Sequence, residues 1–365
     1  MRPTDLQSKV IAFLRFPLVV LALFMHCNYA TLGGEWDALP FASGFIHVMS
    51  ERIAPMACPF FFFISGYLFF KTGFFTMDIY VKKLTRRFLS LFTPYLLWNM
   101  IYLLLVVIIG LFSGRVPILG IPIGEMSFGN VWKAFWNIAL IPGGSTLPAP
   151  VAIPFWFVRD LMVIMILSPL IYLAVTGFIR LSGKKPLVRY LLFIAIIFGI
   201  GFIPSFPGLN VDGCLFFAFG AYFGIKKKEF IVAMLPYAVP MLVTLVILIV
   251  LERWLPCEFI YHMEEVVALI FGISFTTMMV RSGTWYVKNM TLPRASFFLF
   301  SCQYMLLGPV VMLLGSGALM PHNGFVAIVI YLVPVILTTI LALIAYWFMR
   351  TRFPFITYLL MGGRR

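Results

Sequence analysis

"FLRFPLVVLALFMHC", residues 13–27, is apolar except for an arginine near one end and a histidine near the other. With its flanks it forms a run over 10–31, enough for the ~20 residues that cross a bilayer as helix. The run is too long and too interrupted for a secretory signal, and no small-residue cleavage site follows it cleanly, so it reads as a retained first span. The same pattern recurs at 53–70, 88–112, 155–176, 189–206, 212–225, 230–251, 266–280, 295–315 and 324–349. Two of these, 212–225 and 266–280, are short enough to be half-helices or re-entrant segments buried against neighbours.

Composition agrees. Of the 365 residues, 62% are apolar and 11% charged, against roughly 25% charged in soluble domains. A β-barrel is excluded, because barrel strands alternate over ~10 residues and these runs are continuous. The predicted fold is an all-α, polytopic transmembrane helical bundle of about ten spans in a single domain, 1–365.

Charge orients the bundle. The net +14 does not signal nucleic acid, because the basic residues lie between spans. With the N-terminus inside, every lysine and arginine falls on the inner side except Arg52, Arg115, Lys133, Arg159 and Arg253. This asymmetry predicts an even span count with both termini cytoplasmic, in the cell's inner membrane. The acids gather on the outer side, Glu35, Asp37, Glu51, Asp160, Asp212, Glu264 and Glu265 among them, which suggests a polar cavity there. The longest outer connection, 113–154, contains "SFGNVWKAFWNIAL", whose Phe128, Val131, Trp132, Phe135 and Ile138 fall at helical spacing; this is a candidate interfacial helix with its tryptophans at headgroup level. Five cysteines show neither CxxC nor metal-ligand spacing, so no metal is expected. His47, His262 and His322 fall in outer loops and read as surface residues. No internal repeat of the transporter kind is present.

Four stretches carry candidate chemistry. Arg15 and His26 are eleven residues apart, which on a continuous α-helix is three turns plus about 20°, one face, some 16–17 Å along the axis. Arg15 could snorkel to the inner headgroups and His26 could simply pack a helix end; ionisable groups at these depths are costly and are functional candidates by default. In "CPFFFFISGYLFFK" (58–71), Ser65-Gly66 makes a notch for close approach of a helix or a ligand. "KKLTRRFLSLFTPYLLWN" (82–99) brings a basic cluster into a span, which either obeys the orientation rule or holds phosphates with Arg86 and Arg87. In "PFWFVRDLMVIMILSPLIY" (154–172), Trp156 reads as a belt residue. Adjacent positions on a helix point ~100° apart, so Arg159 and Asp160 should each find a partner elsewhere in a shared polar cavity.

Together these stretches resemble the integral-membrane acyltransferase-3 family, in the branch that lacks an attached hydrolase domain; "VDGCLFFAFGAYFGI" (211–225) resembles a recurring segment of that branch. The resemblance covers nearly the whole chain. It implies an O-acyltransferase that moves an acyl group, acetyl in the leading reading, from cytoplasmic acetyl-CoA to a hydroxyl of an envelope glycan or glycolipid. Arg15 would contact the donor, Arg86, Arg87 and Ser65 would help bind it, and His26 would act as general base. Trp156, Arg159, Asp160 and Glu35 are candidates for acceptor binding, with membrane lipid around the whole. The chain departs from the family pattern at Ser90, where a second arginine is usual, at Gln303, where a histidine is frequent, and at "MACP" (56–59), where a glycine and an aspartate often precede the serine–glycine notch. The residues alone leave open a transporter or flippase of an envelope intermediate, or a membrane scaffold.

Overall fold

A computed structural model describes residues 3–27, 39–73, 75–183, 185–283, 291–315 and 323–363; Glu35 and His322 lie outside the described residues. The described residues are mostly helical, without a strand, and helix occupies each of the ten apolar segments. In chain order these are α1 (Pro3–Phe24), α2 (Pro40–His47), running through a π-helical turn at Val48–Ile53 toward α3 (Ala57–Phe70), α4 (Met77–Ser113), α5 (Phe128–Trp136), α6 (Trp156–Ile166), α7 (Ser168–Ser182), α8 (Pro186–Ile200), α9 (Val211–Ile225), α10 (Phe230–Met234), α11 (Ala238–Glu252), α12 (Glu258–Arg281), α13 (Thr291–Gly315), α14 (Gly324–Arg352) and α15 (Pro354–Leu360).

Among the described residues six helices are long and apolar enough to cross a membrane, beginning with Asp5–Phe24. Three sequence-based boundaries are corrected. The segment 155–176 is not one helix: α6 ends at Ile166 and α7 begins at Ser168, where Pro169 removes a backbone donor and cannot continue the preceding turn. The segment 266–280 is not short, because α12 starts two turns earlier and runs for 24 residues. Its first turns, "EFIYHMEE", look like loop to hydropathy, yet Ile260, His262, Glu264 and Glu265 are buried. Of the pair expected to be short, 212–225 remains so, and its short companion is α8. At 37 residues α4 is about 55 Å long, well beyond a hydrocarbon core of about 30 Å; its basic first turns therefore reach past the apolar layer.

The chain divides into two compact units: Met1–Leu18, Pro55–Leu84 and Ile164–Pro293 in the first, and Val19–Ala54, Thr85–Val163 and Arg294–Arg365 in the second. In the first unit α3 lies directly on α9. A Cβ at Gly66 would overlap the carbonyl oxygen of Phe217, and one at Gly220 would overlap that of Phe63. The serine–glycine notch thus serves backbone-to-backbone packing, as small residues do between membrane helices. Edge-on rings of Phe63, Tyr67, Phe223 and Phe230 fill the space beside it.

In the second unit buried polar side chains pin the long connection 113–154. Asn99 on α4 accepts from Ala152 N–H at 3.1 Å and donates to the Tyr95 carbonyl. The Tyr95 hydroxyl donates to the Phe135 carbonyl. Arg159 on α6 donates to the carbonyls of Trp136 (2.6 Å) and Pro148 (3.2 Å) and lies over the Trp136 ring. The connection holds α5, capped by Ser127, with Phe128 and Trp132 on its exposed side. In the first unit α11 is almost entirely exposed, with Val239, Val246, Ile247 and Val250 outward; such a surface suits lipid, whose tails are as apolar as the side chains.

Candidate functional site

α1 carries both ends of the predicted polar face, but its regular winding stops at Phe24. The N–H groups of Met25, His26 and Cys27 donate to the carbonyls three residues back, Ala22, Leu23 and Phe24, at 3.3, 3.1 and 3.2 Å. Such a tight turn advances about 120° per residue rather than 100°, so the eleven-residue phase argument does not carry through to His26. Tertiary contacts set the imidazole instead. Its ring stands edge-on to that of Tyr304, with centroids 5.4 Å apart and planes at 82°. The ring is half-buried, and the neighbouring Cys27 side chain is fully buried.

Tyr304 lies in a turn of α13 that is tied to α4. The Tyr102 hydroxyl, from α4, donates to the Ser301 carbonyl (3.1 Å) and accepts from Met305 N–H (3.0 Å). Gln303 and Tyr304 lie between those two backbone groups in the sequence. Gln303 is 1% exposed, and its Oε1 has no hydrogen-bond partner among the described residues. An unpaired buried amide oxygen is costly, and it is available to a ligand's hydroxyl or N–H. Hydropathy alone would pass over Gln303; its departure from the family's histidine marked it.

Arg15 belongs to the first unit. It is exposed and lines a pocket of about 180 Å³ with Gln7, Ser8, Ile11, Tyr67, Leu68 and Lys71. Two cations at one mouth suit an anionic ligand, although drug-sized ligands occupy roughly 300–1,000 Å³. The pocket thus fits one end of a larger ligand. Nearby, Lys83 Nζ donates to the Phe69 carbonyl (2.7 Å) and the Thr72 hydroxyl (2.8 Å), capping the C-terminal end of α3. Arg86 and Arg87 belong to the second unit and are exposed on α4. Ser90, where the family has a second arginine, donates its hydroxyl to the Arg87 carbonyl. Ser65 is half-buried beside the Gly66 contact.

Two expectations change. Arg159 and Asp160 pair directly, Nε to Oδ1 at 2.8 Å, and both are almost wholly buried. The 100° offset separates the Cβ directions, but the long arginine side chain folds back across it. Arg159 anchors the connection through the two carbonyls described above; Trp156 is half-buried on the first turn of α6. The histidine at 262, expected on the surface, is 4% exposed, with Nδ1 3.3 Å from Asp212 Oδ1 and 3.8 Å from Glu265 Oε2. The i, i+3 spacing of His262 and Glu265 ahead of an apolar run was the available signal. His47 does lie at the surface, paired with Glu51 at 2.9 Å.

These features sit in a helical membrane protein with a half-buried histidine just past its first helix and, in its first unit, a pocket lined by Arg15 and Lys71. The profile of the acyltransferase-3 family, described as an acyltransferase domain, matches residues 10–347, and the chain belongs to that family. It is similar to the succinoglycan biosynthesis protein ExoH of Rhizobium meliloti (strain 1021), with 27% identity over 221 residues, 56% of this chain and 55% of that protein. The match therefore spans about half the length of that relative. No solved structure matches.

Proposed function

We propose that the protein is an inner-membrane O-acyltransferase that moves an acyl group, acetyl in the simplest case, from cytoplasmic acyl-CoA to a hydroxyl of an envelope polysaccharide or its lipid-linked precursor. Family membership supports acyl transfer, and the similarity to a protein of succinoglycan biosynthesis supports a carbohydrate acceptor. The observation that carries the reading is the placement of His26, half-buried just past the first helix and braced edge-on by the Tyr304 ring. An imidazole can take a proton from a hydroxyl, which suits a general base in a one-step transfer.

In that step the acceptor hydroxyl gives its proton to His26 as its oxygen attacks the thioester carbonyl. The C–O bond forms and the C–S bond breaks. The CoA thiolate leaves and takes up the proton from the imidazolium, which restores the neutral ring. Arg15 and Lys71 attract an anionic part of the donor, and Gln303 offers its amide oxygen to an acceptor hydroxyl.

The test is mass spectrometry of envelope glycans from cells carrying the wild type, His26→Ala or no protein. One added acyl mass with the wild type alone, at equal membrane accumulation of the variant, supports the reading. Glycan export without acyl-CoA consumption would replace it with a transporter.

A further inference from the structure

The buried group at the start of α12 departs from the sequence expectation that no metal is bound. His262 and Glu265 are one turn apart on α12, and Asp212 is the second residue of α9, whose start is fixed by Asn210 accepting from Gly213 N–H. One donor atom from each residue lies within 4.8 Å of the others. The imidazole of His262 is 5% exposed and the Glu265 side chain 6%. His262 Nδ1 and Glu265 Oε2 are buried and make no hydrogen bond among the described residues. Their separation of 3.8 Å, and that of 3.3 Å from Nδ1 to Asp212 Oδ1, exceed the 2.7–3.2 Å of an N–H···O bond.

Those distances have another meaning. Ligands about 2.0–2.2 Å from a tetrahedral ion stand about 3.3–3.6 Å from one another. Nδ1 already lies at that distance from Asp212 and is 3.8 Å from the Glu265 oxygen, while the two carboxylate oxygens lie within 4.8 Å of each other and would close by up to about 1.5 Å on an ion. Charge agrees as well. Among the described residues the ion pairs of Asp212 and Glu265 are with His262 alone. A dication would balance two carboxylates and a neutral imidazole where an uncompensated buried carboxylate is expensive.

The geometry points to a divalent transition-metal site, of the Zn²⁺ class, formed by Asp212, His262 and Glu265. Three protein ligands leave a fourth position open, as in sites whose metal binds water or substrate. The open side faces Asp212, the most accessible of the three at 29% exposed. An imidazole with two carboxylates suits zinc better than calcium or magnesium, which take oxygen donors. This site is independent of the role given to His26.

The full chain, purified in detergent without chelators and equilibrated with Zn²⁺, should retain about one equivalent by elemental analysis. Co²⁺ in its place should give the visible bands of a tetrahedral nitrogen–oxygen site. His262→Ala and Asp212→Asn should each lower the affinity at least about tenfold, with an unchanged gel-filtration profile. If one variant fails to fold, the other carries the test, since Asp212 is partly exposed. Retention no greater in the wild type than in the folded variants would overturn the assignment and leave a proton-sharing cluster. Undiminished binding in both variants would overturn it too, by placing the metal elsewhere.

Discussion

The imidazole of His26 is braced edge-on by Tyr304, 5.4 Å between ring centroids, and Tyr304 sits in a turn of α13 whose Ser301 carbonyl and Met305 N–H both bond the Tyr102 hydroxyl. The ring that braces a candidate base thus belongs to a turn tied to the third of the long apolar segments.

Tyr102→Phe removes the hydroxyl that bonds both the Ser301 carbonyl and Met305 N–H, at a cost of about 0.5–1.5 kcal/mol per hydrogen bond. A lower melting temperature in detergent and reduced transfer activity are expected, because Tyr304 lies in that turn. Wild-type activity and melting temperature together would show that the tie has no functional role.

Gly66→Ala should be among the most damaging small substitutions in α3. Its Cβ meets the Phe217 backbone, which cannot yield as a side-chain tip can, and overpacking typically costs about 1–3 kcal/mol. Reduced accumulation and a lower thermal midpoint are expected. Gly177→Ala, where the added Cβ would meet open space, is the matched control and should be near neutral.

Arg159→Ala removes the ion pair of the buried Asp160 carboxylate and releases the carbonyls of Trp136 and Pro148. Breaking one side of a buried pair costs about 3–5 kcal/mol. Limited proteolysis should cut between 113 and 154 much faster in the variant. Arg159→Lys should rescue only in part, because an ammonium lacks the planar fork that reaches Asp160 and both carbonyls.

Arg15→Ala should weaken CoA binding in calorimetry while insertion is unchanged, since the residue is exposed and lines a pocket rather than packing the core. Unaltered affinity would return Arg15 to a headgroup contact.

By itself the sequence determined the class of fold, the places of the apolar helices, the amphipathic α5 and the Ser65-Gly66 notch. Each follows from properties that are local or additive along the chain: apolar length, helical periodicity and the size of one residue. It also brought out Arg15, His26 and Gln303 through their spacing and their match or mismatch with a family pattern. Tertiary structure alone decided that Arg159 turns back onto Asp160, that the charged turns of α12 are buried, that His262 meets Asp212, and that Tyr102 bonds the backbone of α13. The reason is physical. Whether a charge or hydroxyl is tolerated inside depends on partners brought from distant positions, and summed hydropathy contains no record of which partner will arrive.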